Sequence, residues 1–139
     1  MMRPKTFLAA LAVFVAWLVL DMVIRVVILG EAYEETAQFW RTEEDMKMGL
    51  MYSVTGLSAV CFTGIYAWFV GQKNLWSGLF YGLLFGLGLG AGFGFGMYAV
   101  MPIPETMAFT WFLGTLVEYL VGGALVGLIL KSRPAAEES

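Results

Sequence analysis

Four long apolar stretches separated by short polar interruptions organise the chain, at residues 7–29, 47–70, 75–101 and 107–130. Each reaches the roughly 20 helical residues needed to cross a hydrocarbon core about 30 Å thick. No water reaches that layer to satisfy bare backbone groups, so a spanning segment of this kind must be helical. The pattern predicts an all-α fold, a four-helix transmembrane bundle forming a single membrane domain over residues 1–131. The tail at 132–139 has nothing to bury and is expected to be disordered. The first stretch follows a basic start, as a secretory signal does, but its apolar run exceeds the roughly 7 to 15 residues of a signal core and no small-residue cleavage site follows. It reads as a retained helix.

The polar connections set the order of the helices. The segment 71–76 is short, so the second and third helices must be antiparallel neighbours, and 101–105 is shorter still, with Pro104 suited to the first turn of the last helix. The long connection 30–46 carries Glu31, Glu34, Glu35, Glu43, Glu44 and Asp45. Within it Tyr33, Ala37 and Trp40 recur at helical spacing, which predicts a short helix lying at the membrane interface. Thr42 to Asp45 fits a capping box ahead of the second helix. The acidic cluster reads first as a solvated loop, with a cation-collecting vestibule as the alternative.

The third stretch holds the least ordinary pattern. Gly78, Gly82, Gly86, Gly90 and Gly94 recur every four residues, and Gly88, Gly92 and Gly96 form a second such row. Gly86 to Ala91 formally matches a dinucleotide-binding fingerprint, but that motif needs a preceding strand and a helix start facing water. Here it lies midway through an apolar span. Rows of small residues let another helix backbone approach closely, which gains van der Waals contact where lipid offers no hydrophobic drive. We therefore read both rows as packing surfaces; a pore lining is the weaker alternative, because glycine offers no side-chain ligand. The last helix supplies matching small residues at Gly114, Gly122, Gly123 and Gly127, so one row is expected to face it. The other is expected to face the first or second helix, or a second copy of the chain.

Composition and charge sharpen this picture. Hydrophobic residues make up 60% of the 139, and the mean hydropathy is +0.77, outside the range of ordinary soluble domains. The net charge is −3, but Arg3, Lys5, Lys73, Lys131 and Arg133 fall on one side of the four-helix arrangement and only Arg41 and Lys47 on the other. The positive-inside rule then places both termini in the cytoplasm. A single cysteine, Cys61, forms no internal disulfide.

Three ionisable residues lie inside the spans: Asp21, Arg25 and Glu118. Each is costly to insert, by about 2.5 to 3.5 kcal/mol near a helix centre. Asp21 and Arg25 are four residues apart and share a helix face. At about 1.5 Å per residue, all three fall in the outer half of the membrane, and Thr55, Ser58 and Thr115 reach the same layer. We expect a buried Asp-Arg-Glu network there, which fixes helix register or, alternatively, serves as a proton or cation site.

Much chemistry is excluded. The chain has no histidine, which removes the commonest general base and the histidine-based zinc and haem sites. Neither a nucleophile elbow, a phosphate-binding loop nor a clustered basic surface for nucleic acid occurs. The expectation is a protein that is not an enzyme, with no cofactor, no metal and no nucleic-acid partner.

The chain resembles a group of small, functionally uncharacterised bacterial four-helix membrane proteins. The resembling residues are Leu20-Asp21 with Ile24, Tyr33, Thr36-Ala37 and Trp40-Arg41, then Met97-Tyr98, Pro102 to Pro104, Ala108, Trp111-Phe112 and Glu118-Tyr119. The resemblance implies the four-helix topology in a bacterial inner membrane and brings no activity with it. Small multidrug transporters also have four helices and one essential glutamate, but theirs lies in the first helix. Two functional expectations follow: a non-catalytic accessory or assembly component, as a homo-oligomer or with a membrane-protein partner in the lipid bilayer, or a small proton- or cation-coupled carrier or channel using Glu118 and Asp21.

Overall fold

A computed structural model of the chain describes residues 4–24 and 47–130. Four helices account for nearly all of them: α1 (Pro4–Met22), α2 (Met48–Phe69), α3 (Leu75–Val100) and α4 (Glu105–Ile129). Each is long and apolar enough to cross a membrane. Val23 and Ile24 continue α1 in a wider π-helical turn. The remainder of the expected first span, the interfacial helix, the capping box at Thr42 to Asp45 and the tail lie outside the described residues.

Helix α3 begins at a reciprocal cap. The Asn74 side chain accepts from the Ser77 backbone N–H at 2.9 Å, and the Ser77 hydroxyl accepts from the Asn74 N–H at 2.9 Å. Two otherwise orphaned donors are thereby satisfied at the membrane boundary. Pro104 caps α4, whose first residue is Glu105.

The closest pairing is between α3 and α4, which run antiparallel. Along α3 the row Gly78, Gly82, Gly86, Gly90 and Gly94 is wholly buried. A Cβ added at Gly82 would stand 2.1 Å from the Tyr119 carbonyl oxygen, one at Gly78 2.2 Å from that of Gly123, and one at Gly94 2.6 Å from that of Ala108. Helix α4 answers in kind, since a Cβ at Gly123 would stand 2.1 Å from the Gly78 carbonyl oxygen. Glycine is required at these positions because the facing backbone occupies the place of a side chain. The second row behaves differently: at Gly88, Gly92 and Gly96 nothing lies within 4 Å of an added Cβ. Among the described residues, neither α1 nor α2 covers that row.

Helix α1 lies against both α2 and α4. It runs antiparallel to α4, with Trp17 beside Gly122 and Ile24 beside Gly114. The α2 and α3 backbones stay farther apart than the short 71–74 turn suggests, because rings stand between them. Phe62 meets Tyr81 at 4.7 Å and Tyr66 meets Tyr81 at 5.2 Å between centroids. Trp17 and Tyr119 join the same cluster from α1 and α4, at 5.3 Å and 5.3 Å from Phe62. The polar ends of the two tyrosines are paired: Tyr81 donates its hydroxyl hydrogen to the Phe62 carbonyl, and the Tyr66 hydroxyl lies 2.9 Å from the Ser77 hydroxyl. Such rings contribute large buried area at little loss of rotamer freedom, and their hydroxyls need partners when desolvated.

One buried group in α2 has no such partner. The Thr63 hydroxyl is fully enclosed and makes no hydrogen bond. Removing an unsatisfied polar atom while keeping the side-chain shape relieves a desolvation penalty of about 1 to 3 kcal/mol. Thr63→Val is therefore expected to leave the thermal midpoint of the solubilised protein unchanged or raise it, as read by circular dichroism. A clear fall in midpoint would show that the hydroxyl has a structural role.

Candidate functional site

Two ionisable residues of the spans, Asp21 and Glu118, meet in a cleft where α1 passes α4. Asp21 and Ile24 from α1, Phe93 from α3, and Trp111, Gly114, Thr115 and Glu118 from α4 line a cleft of about 90 Å³. The four α4 residues fall on one helix face by spacings of three, four and seven, and Gly114 makes room for the α1 side chain opposite. A Cβ at Gly114 would come within 2.8 Å of Ile24 Cδ1. Phe93 and Trp111 close one wall, with centroids 4.8 Å apart.

Asp21, Thr115 and Glu118 are each half-buried, so the cleft is partly open rather than a sealed interior network. Asp21 and Glu118 line the same cleft from the two sides of the α1–α4 contact. Arg25, expected to complete the network, lies outside the described residues. Neither Thr55 nor Ser58, expected at the same level, lines the cleft, and the Thr55 hydroxyl donates to the Met51 carbonyl of its own helix at 2.9 Å. Equal expected depth did not bring them into it.

One turn away from the carboxyls, α1 and α4 are joined by a directional bond. Trp17 Nε1 donates to the Glu118 main-chain oxygen at 2.7 Å. Gly122 provides the notch for the indole, since an added Cβ there would sit 3.1 Å from Nε1. Trp17 is buried, and the Tyr119 ring packs on it at 4.7 Å. The sequence carried a signal for this pairing in the i, i+4 relation of Trp17 to Asp21 and of Glu118 to Gly122, but not the register that joins them.

The arrangement offers two carboxyls and a hydroxyl, all oxygen ligands, beside an aromatic wall. Among the described residues no group of three or more His, Cys, Asp or Glu side chains is positioned to hold a metal ion. At about 90 Å³ the cleft is well below the roughly 300 to 1,000 Å³ of sites that enclose organic ligands. It has room for water and for a proton or small cation.

Fold and site together define an all-helical bundle of four apolar helices with one small polar cleft. No protein-family model, curated protein or solved structure matches the chain. The family resemblance described above therefore rests on its quoted residues alone.

Proposed function

We propose that this is a non-catalytic, multi-pass component of a bacterial inner membrane, with both termini cytoplasmic, that works by packing against another transmembrane helix of a second copy or a partner protein. The observation that carries this reading is the open row Gly88, Gly92 and Gly96 on α3. Glycine costs about 0.5 to 1 kcal/mol relative to alanine within a helix. At Gly82 that cost is offset by the α4 backbone, whereas at Gly92 nothing within the described bundle offsets it. Leu87, Leu89, Phe93 and Val100 on the same helix are exposed beside the row. The orientation is supported by Lys5 and Lys73, and the exposed Trp68 and Trp76 flank the α2–α3 turn as interfacial aromatics do at either face of a membrane.

Native mass spectrometry after gentle extraction tests the reading. The chain is expected to emerge as a defined homo-oligomer or in a stable complex, and Gly92→Leu is expected to release it as a monomer with unchanged helical content. A wild-type monomer, or an assembly indifferent to Gly92→Leu, would overturn the proposal.

A second reading, a small proton- or cation-coupled carrier or channel, is favoured by one observation: Asp21, Thr115 and Glu118 line the same cleft. Intramembrane carboxyls commonly mark ion pathways. In proteoliposomes the packing reading predicts no proton or alkali-cation flux above that of empty vesicles. A flux abolished by Glu118→Gln, with folding intact, would replace the first reading with the second.

A further inference from the structure

We infer that Trp17 is the positioning residue of the polar cleft: its indole N–H, held on the Glu118 main-chain oxygen through the notch at Gly122, sets the register of α1 on α4 that brings Asp21 to Glu118. The inference rests on the geometry of the cleft and on neither functional reading.

Three features lead to it. Trp17 and Asp21 are one turn apart on one face of α1, and Gly122 and Glu118 are one turn apart on one face of α4. Because α1 and α4 run in opposite directions, seating Trp17 at Gly122 carries Asp21 to the level of Glu118 and Ile24 onward to Gly114. All three placements are observed together.

The second feature is the nature of the contact. Much of the α1–α4 surface is made of small or smooth groups, with Ala9 and Val13 on α1 and Val126 on α4 fully buried in one cluster. Surfaces of that kind hold two helices together but resist sliding weakly, and lipid adds no hydrophobic drive toward one register. A hydrogen bond to a fixed backbone oxygen is directional, and at 2.7 Å it is well formed.

The third feature is how firmly the indole itself is held. Phe62 from α2 and Tyr119 from α4 pack on it at centroid distances of 5.3 and 4.7 Å, so its orientation is fixed from two neighbouring helices. Trp17 thus transmits the position of the ring cluster to the carboxyls one turn away, without itself lining the cleft.

Cross-linking between α1 and α4 tests this directly. In a Cys61→Ser background, Asp21→Cys and Glu118→Cys form one pair, bridged by a short bis-methanethiosulfonate reagent that forms one disulfide with each thiol and releases two methanesulfinates. Phe95→Cys and Phe109→Cys, at ring positions 5.1 Å apart on α3 and α4, form the control pair. Trp17 is then replaced by its benzothienyl analogue, which exchanges N–H for sulfur and keeps the bicyclic ring. The 21–118 cross-linking rate is expected to fall about threefold or more, the size of a lost interhelical hydrogen bond in a membrane, while the control pair is unchanged. Gly122→Val, which fills the notch, is expected to give the same selective loss.

Unchanged 21–118 cross-linking in both variants would overturn the inference, as would absence of the cross-link with Trp17 intact. A parallel fall in both pairs would also overturn it, because Trp17 would then support the bundle generally. Flux through Glu118 is read separately in vesicles, so the register and the transport reading fail independently.

Discussion

At the place where a Gly82 side chain would begin stands the carbonyl oxygen of Tyr119, and the same substitution of backbone for side chain recurs up and down the α3–α4 seam. In water, apolar faces are driven together by the solvent; in lipid, the gain comes from close contact of the helices themselves. Removing Cβ atoms along about 24 Å of α3 is what makes that contact available. At Gly82, Gly78 and Gly94 the carbonyls of Tyr119, Gly123 and Ala108 fill the space that a Cβ would take. This seam makes α3 and α4 one rigid hairpin.

The rest of the bundle is arranged around that hairpin by different means. Helix α2 is held off α3 by Phe62, Tyr66 and Tyr81, the two tyrosine hydroxyls being tied to backbone or to Ser77. Helix α1 meets α4 through small residues and one indole bond. Glycine row, ring layer and indole clamp bring Asp21 and Glu118 into one cleft. Because α3 spends only one of its two glycine rows on α4, it keeps a second face with the same shape and no neighbour among the described residues.

The sequence made the helices legible because their signal is local. Apolar runs at 47–70, 75–101 and 107–130 correspond to helices that end within two residues of those limits. The four-residue glycine spacing pointed to α4 as the partner of one row because α4 carries small residues of its own at Gly114, Gly122, Gly123 and Gly127, of which Gly123 and Gly127 meet the row and Gly114 and Gly122 turn to α1. The cap at Asn74 and Ser77 was also written locally, three residues apart, and went unread. What the sequence did not show is the relation between α1 and α4, which no short turn connects. Depth alone placed Thr55 and Ser58 with Asp21 and Glu118, but depth fixes one coordinate of three, and neither residue lines the cleft. The Trp17 bond depends on register across the bundle, for which neither residue spacing nor composition carries a mark.

The most direct test of this account is the stability of Gly82→Ala set beside that of Gly92→Ala, measured by thermal or denaturant unfolding of the purified protein in one detergent. The same methyl group is added at two positions ten residues apart on α3, once into a backbone contact and once into open space. The account predicts a loss of about 1 to 3 kcal/mol or more for Gly82→Ala, from forced separation of α3 and α4. For Gly92→Ala, in protein dissociated to monomer by the detergent so that the neighbour proposed for this row is absent, it predicts no loss, or a gain of about 0.5 to 1 kcal/mol from helix propensity. Equal effects at the two positions, or full tolerance of Gly82→Ala, would contradict the claim that the first glycine row is the seam on which the bundle is built.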